Sequence, residues 1–331
     1  MTTAVVILNW NGKKLLEQFL PSVLTHSAEA TIYVADNAST DQSLAFLTET
    51  FPSVQIIQNK TNGGYAKGYN DALEQLNEDI FVLLNSDVEV TENWLAPVLE
   101  QFKNNTTVVA AQPKILDYKN KTHFEYAGAA GGFLDSFGYP FCRGRIFNTI
   151  EEDKGQYDDI KSIFWATGAC LFVRNSAFKK SGGFDEDFFA HQEEIDLCWR
   201  LQAYGGQISY VGTSTVHHVG GATLAAANPK KTFYNFRNTL LLLIKNRKGS
   251  STWGIIFARL LLDGLAVIQF LFQGKISHVL AIIDAHISFY TLVPRFLKKR
   301  KIHASSLKYA SLKSIVWEYF VKKKRNFNML N

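Results

Sequence analysis

The stretch FVLLNSDVEV, residues 81–90, decides how the rest of the chain is read. Four apolar residues, Phe81 to Leu84, run directly into Asn85-Ser86-Asp87. Strands have to stop, and Asn, Ser and Asp stop them well. The other reading is that a buried strand ends where it can hold a carboxylate out to a ligand. The neighbouring segments bear on the choice. AVVIL (4–8), TIYVA (31–35), VQIIQ (54–58) and DIFVLLN (79–85) are short and rich in Val and Ile. Helix-like stretches at 13–24, from about 42, and at 65–76 alternate with them. This pattern predicts an α/β fold with a parallel sheet covered on both faces. Such sheets bind ligands beyond the carboxyl ends of their strands. Those ends carry Asn9-Trp10-Asn11-Gly12, Asp36-Asn37-Ala38-Ser39, Asn59 through Gly64, and Asn85-Ser86-Asp87. Four small polar loops on one rim read as a binding edge.

The chain has 331 residues, enough for a full core and two regions. Its net charge of +5 is unevenly placed. From Lys245 onward sixteen Lys/Arg face three Asp/Glu, giving +13 and leaving −8 for the part before it. An acidic globule with a basic tail points to two jobs. Three widely spaced cysteines, Cys142, Cys170 and Cys198, fit a reducing compartment without a disulfide framework. The start, MTTAVVILNWNGKK, lacks the basic leader and long apolar run of a signal peptide, so the fold is expected to begin there, on the cytoplasmic side.

From about 117 to 161 the pattern is irregular, and GAAGGFLDSFGYPF is expected to form a mobile loop over a site. Regularity returns at FWATGACLFVR (164–174), the helical HQEEIDLCWRLQAYG (191–205), and GQISYVGTSTVHH (206–218), which reads as a strand or two. Beyond about 225 come long apolar helices, FYNFRNTLLLLIKN (233–246) and WGIIFARLLLDGLAVIQFLF (253–272). Arg259 and Asp263 interrupt the second, and a central charge is costly in a spanning helix. With the basic clusters LKKRK (297–301) and VKKKR (321–325), the tail fits helices lying on an anionic leaflet. A spanning hairpin and ordinary packed helices are the alternatives.

Three constellations carry chemistry. Asp87 ends a central strand, where a carboxylate can anchor a divalent cation that neutralises a leaving diphosphate. A lone Asp there is also an ordinary turn residue. Glu193, Glu194 and Asp196 crowd the start of a helix. The helix dipole alone favours acids in a first turn; crowding also raises a pKa and makes a better base. His217 and His218 are adjacent on a strand and point to opposite faces, so one at most reaches a given metal. Imidazole there suits Mn2+ better than Mg2+. Several chemistries find no motif: no CxxC zinc spacing, no G-x-G-x-x-G around Gly63-Gly64 and Gly68, no P-loop, no G-x-S-x-G elbow, and no nucleic-acid reader for the basic tail.

In order and spacing, VVILNWNG, VADNASTD, NGGYAKGYNDAL, LLNSDVEV, ATGACLFVR, GGFDEDFFAHQEEIDLCWRL and HHVGG resemble the family 2 inverting glycosyltransferases of GT-A fold. The likeness is to the rhamnosyltransferase-like bacterial branch that builds cell-surface polysaccharides, and it spans roughly residues 3–225. It implies a nucleotide-diphospho-sugar transferase, with a Rossmann-like mixed sheet flanked by helices. Residues 1–225 would be the catalytic domain and 226–331 a basic, membrane-associating helical extension. Asn9, Asp36 and Asn37 would contact the base and ribose of a dTDP- or UDP-sugar, with Asn62, Gly63 and Lys67 along the nucleotide. Asn85-Ser86-Asp87 takes the DxD position, with Asp87 on Mn2+ or Mg2+ and the diphosphate. His218, 24 residues after Glu194, would be a further metal ligand. Glu194 falls at the position of the catalytic base, usually Asp, with Glu193 beside it as the alternative. Trp165, Asp196 and the 128–145 loop would line the acceptor side. Two departures stand out: Asn85 replaces the first Asp of DxD, and Glu194 is one methylene longer than Asp.

The implied partners are a nucleoside-diphosphate sugar, a glycan or lipid-linked acceptor, and the inner face of the plasma membrane, where the protein would be peripheral. No nucleic-acid partner is expected. A sugar nucleotidyltransferase shares the sheet and the metal, but NWNGKK is a poor version of its first loop. A non-catalytic sugar-nucleotide-binding protein is the third reading.

Overall fold

The computed structural model of the chain describes residues 1–220 and 228–330. The boundary expected at 225/226, and Gly221 of the HHVGG motif, lie outside the described residues. In chain order the first elements are β1 (Thr3–Asn9), α1 (Lys13–His26), β2 (Thr31–Asp36), α2 (Ser43–Thr50), β3 (Gln55–Gln58), α3 (Gly64–Leu73) and β4 (Ile80–Asn85). Then come β5 (Val88–Val90), α4 (Ala96–Asn104), β6 (Val108–Asp117), β7 (Gly132–Asp135), β8 (Pro140–Cys142), β9 (Arg145–Ile146), β10 (Thr149–Ile150) and β11 (Ile160–Ile163). The chain continues with β12 (Cys170–Arg174), α5 (Asn175–Ser181), α6 (Glu193–Ala203) and β13 (Gln207–His218). It closes with α7 (Pro229–Asn246), α8 (Ser251–Phe272), α9 (Ile276–His303) and β14 (Ala310–Leu312).

Among the described residues nine strands form the main sheet, in the order β11-β13-β6-β12-β4-β1-β2-β3, with β5 on β13. The four strands expected from the first half are there, and β3, β2, β1 and β4 run parallel. The sheet as a whole is mixed. β12 lies antiparallel to both β4 and β6. An apolar strand reads the same in either direction, so CLFVR alone carries no sign of its orientation; the long excursion before it reverses the chain.

Alternation sorts the strand residues onto two faces. Val5, Ile7, Val82 and Leu84 join the cluster under α1 and α4. Ala4, Val6, Phe81 and Leu83 join the cluster containing residues of α3, α6 and α7. Both faces are therefore dry, which is why these strands read as unbroken apolar runs.

One expectation is corrected here. Residues 128–145 do not form a mobile loop. They build β7, β8 and the start of β9 in a second sheet of order β10-β9-β8-β7-β14, with Leu134, Asp135 and Cys142 fully buried. Glycines that suggested mobility are instead places of close approach: a Cβ on Gly132 would sit 2.0 Å from the Trp165 ring. The sheet's last strand, β14, comes from the far end of the chain. The C-terminal helical region packs on the sheet. Leu240 to Ile244 of α7 are all buried in the main core.

Candidate active site

Parallel strands bring their carboxyl ends into line. Asn9 is in register with Asp36, Leu8 with Asn85, and Asp36 with Gln58. Asn9 donates to Asp36 Oδ1 at 3.0 Å and to Ser39 Oγ at 3.2 Å. Its Oδ1 is buried and finds no hydrogen-bond partner among the described residues, and Ser86 lies close by. A buried acceptor left open is costly, so this oxygen is suited to a donor on a ligand. Asn37 donates to Asn62 Oδ1 and to the Gly64 carbonyl, and accepts from Asn59. Asp36 and Asn37 are thus bound mainly within the protein and shape the loops of the rim. Gly64, at φ +75°, must be glycine: a Cβ would fall 2.8 Å from the Phe189 carbonyl. Lys67 is turned to Asp71 at 2.7 Å, one helical turn on.

Asp87 and His218 meet at the other end of the rim. β13 pairs with β5, placing His218 opposite Val88. His218 Nε2 lies 3.1 Å from Asp87 Oδ1 and 3.4 Å from Asn85 Nδ2; its Nδ1 lies 3.6 Å from Glu125 Oε1. His217 points the other way, to Glu89 at 3.2 Å. Burial pulls the His218 pKa down, but hydrogen bonding and charge from Asp87 and Glu125 outweigh it and push it up to about 10. Carboxylates that hold a proton so firmly also attract a metal cation. The 3.1 Å spacing of Asp87 Oδ1 and His218 Nε2 suits adjacent ligands on one divalent ion bound at roughly 2.1 Å. No three His, Cys, Asp or Glu groups converge on a point among the described residues, so phosphate and water oxygens would complete the shell. The residues fit a Mn2+ or Mg2+ that arrives with a diphosphate.

The acids of α6 complete the site. Tyr65 hydroxyl donates to the Gly168 carbonyl at 2.8 Å, and its N–H donates to the Phe189 carbonyl at 3.2 Å. Ala169, next in the chain, accepts from the Asn85 amide. Burial, then the charges of Tyr69, Glu193 and Glu194, push the Tyr65 phenol up. Glu193 is buried and Glu194 half-buried, and one oxygen of each lacks a partner among the described residues. Burial raises both; the Glu194 pKa, opposed in part by amides of the first turn of α6, comes to about 7.

Asp196 and Trp165 correct the sequence reading. Asp196 is fully buried and bonds Arg200, Lys245 and Asn246, so it cannot line an acceptor site. Trp165 packs on Gly132, and its indole N–H donates to the Phe133 carbonyl. Both are held inside the fold. Three participants were missed. Glu125 lies in the irregular stretch and carried no signal. Tyr65 looked like a helix aromatic. Asn238 carried no signal, standing among the polar residues Asn235, Arg237 and Thr239; its Nδ2 lies 3.0, 2.9 and 2.7 Å from the carbonyls of Phe188, Ala190 and His191.

Comparison with known proteins bears on the family and the fold. The family model "Glycosyl transferase family 2" matches residues 4–182. N-acetylglucosaminyl-diphospho-decaprenol L-rhamnosyltransferase of Mycobacterium tuberculosis is 27% identical over 235 residues, covering 66% of this chain and 76% of that protein. Low-salt glycan biosynthesis hexosyltransferase Agl10 of Haloferax volcanii is 23% identical over 286 residues, covering 83% and 87%. Among solved structures, S. aureus TarS 1–349 superposes with a TM-score of 0.57 at 16% identity, covering 91% of this chain and 83% of that one. GalNAc-T7 with UDP, GalNAc and Mn2+ gives 0.54 at 19% identity, covering 66% and 43%. These structural likenesses share the GT-A fold seen here. The chain belongs to glycosyl transferase family 2.

Proposed function

We propose that this glycosyltransferase moves a sugar, with inversion, from a dTDP- or UDP-sugar to a hydroxyl of a lipid-linked glycan in cell-surface polysaccharide synthesis. The observations that support the reading are Glu194, an acid with an unpartnered oxygen and a pKa near neutrality, and the Asp87–His218 pair. Glu194 takes the proton of the acceptor hydroxyl as that oxygen attacks the anomeric carbon from the face opposite the diphosphate. Glu193, more buried and held more strongly neutral, keeps the pair from ionising together. Asp87 and His218 would hold a divalent cation, which when bound neutralises charge on the departing nucleoside diphosphate. Asn9, with its open Oδ1, and the loops shaped by Asp36, Asn37 and Asn62 form the floor for the nucleotide. The M. tuberculosis relative is named for a diphospho-decaprenol-linked acceptor, and this supports a polyprenyl-linked acceptor here.

The test is Glu194→Gln. Transfer should fall by about a thousandfold or more, while calorimetric binding of UDP or dTDP with Mn2+ stays within about twofold. Turnover that survives the change would move the base elsewhere. Release of nucleoside diphosphate on incubation with donor and acceptor separates a transferase from a nucleotidyltransferase, which exchanges pyrophosphate.

A further inference from the structure

Helix α8 is built inside out. It buries Thr252, Ile256, Arg259 and Asp263, and leaves Trp253, Phe257, Leu261, Leu265, Ile268 and Phe272 exposed. Arg259 donates to the Phe137 carbonyl at 2.9 Å and lies over the Tyr139 ring at 3.7 Å; Asp263 meets His286 at 3.0 Å. A helix on the surface of a water-soluble protein does the reverse. In α9, Ile276, Leu280, Ile283, Ile287 and Tyr290 are also exposed. Their spacing of four, three, four and three makes one straight apolar ridge. Ser277, Asp284, Thr291 and Arg295, also exposed, line one flank of it.

Both helices are long and apolar enough to cross a membrane. Their packing forbids it. Thr232 Oγ1 and His278 Nδ1 are 2.8 Å apart near the start of α9, and Arg300 reaches the Ile244 carbonyl at 2.6 Å near its end. Arg259 ties the middle of α8 to the loop after β7. A hairpin clamped along its length to a folded domain cannot be ringed by lipid through about 30 Å of hydrocarbon. It can lie flat.

Charge decides what covers the ridges. Lys298, Lys301, Lys308, Lys313, Lys322 and Lys323 are exposed in a region carrying +13 from Lys245 onward. A second copy would set like charge against like, whereas an anionic leaflet sets opposite charges together. We propose that α8 and α9 lie in the plane of a single anionic leaflet, their ridges sunk about 5–10 Å into it without crossing. The segment of α7 that touches His278 also places Tyr234 against Phe189, 5.7 Å away, beside the acids of α6. Docking would thus bring the cleft to the lipid surface. This attachment stands independently of the transfer reading.

The test uses the full chain and vesicles of equimolar phosphatidylcholine and phosphatidylglycerol. The protein should float with these vesicles and bind pure phosphatidylcholine far less. A fourfold variant, Phe257→Asn, Leu265→Gln, Ile283→Gln and Ile287→Gln, should bind about a hundredfold more weakly with an unchanged unfolding midpoint. The native cysteines are buried, so a thiol at Lys275→Cys reports alone. In vesicle-bound protein it should react with a membrane-impermeant maleimide added outside. Equal flotation of parent and fourfold variant, a shielded thiol at 275, or a stable dimer that ignores vesicles would each overturn the proposal.

Discussion

Glu194 and Asp196 stand two residues apart on one helix and end in opposite electrostatic worlds. Burial raises both, but Asp196 has Arg200 and Lys245 against it and is held well below the usual carboxylate range. Glu194 has no such cation and rises to about 7. The sequence showed three acids crowded together, and that crowding is real. It could not show that Lys245, 49 residues on, returns to neutralise one of them. The crowding at Glu194 was thus legible, and the neutralised burial of Asp196 was not. Two outcomes follow at this level. A base must be ionised, so kcat/KM for transfer should rise as pH passes about 7 and level off above it, as a pH–rate profile would record. A flat profile from pH about 5.5 to 8.5 would rule this titration out. Stability should move the other way. The folded pKa of Glu193 is raised, so the folded state holds its proton where the unfolded chain, at about 4.3, has lost it. Stability from this group is complete below the unfolded value and is lost as pH climbs toward the folded one. Glu193→Gln should therefore raise the melting temperature, by more at about pH 8 than at about pH 5.

The acids are aimed by the loop in front of α6. Phe189, His191 and Gln192 all have positive φ, at 63°, 67° and 76°. Such backbone costs about 1–3 kcal/mol per residue and persists only where neighbours insist on it. Here Asn238 of α7 insists, through one amide nitrogen shared among three carbonyls, and Arg237 adds bonds to the Asp187 and Phe188 carbonyls. Asn238→Leu keeps the bulk and removes the donor. It should lower kcat by about tenfold to a hundredfold, with KM for the donor sugar within about twofold, because the base is displaced while the nucleotide floor is untouched. A drop in melting temperature with unchanged kcat would mean that the loop is held by other contacts. The four parallel strands β1 to β4 were legible because each announced itself by a local apolar run ending in polar residues, whereas β5, β6 and β11 of the same sheet went unread. Strands β7 to β10 were not legible either. They are two to four residues long and earn their pairing from distant partners, including a backbone N–H of Ile315 on Asp135 Oδ2. Periodicity has no purchase on strands so short.

The whole chain folds as more than its composition divides. Hydropathy changes character near Ala225 and charge near Lys245, yet the helices beyond pack on the sheet. Leu240, Leu241, Leu242, Leu243 and Ile244 sit in the same core as the sheet, and each fully buried side chain of this kind stabilises by about 1.5–3 kcal/mol. Five of them contribute roughly 10 kcal/mol, comparable to the entire net stability of a typical domain at about 5–15 kcal/mol. The same helix supplies Lys245 to Asp185 and Asp196, and α9 supplies Lys299 to Asp185 and Asp187. Without these cations Asp185 loses its partners and Asp196 keeps only Arg200, and breaking one such buried pair costs about 3–5 kcal/mol. Further along, Tyr309 stacks on Trp199 at 4.6 Å, and Phe327 packs on Phe133 at 5.2 Å. A fragment of residues 1–225, though it contains every side chain assigned to the chemistry, should therefore not behave as a catalytic domain. Expressed alone it should lack a near-ultraviolet circular dichroism signal, show no cooperative thermal transition, and be cut by dilute protease under conditions that spare the full chain. A sharp transition in that fragment, with nucleotide binding retained, would show that the acidic half carries its own core and that the contacts with α7 and α9 are secondary to it.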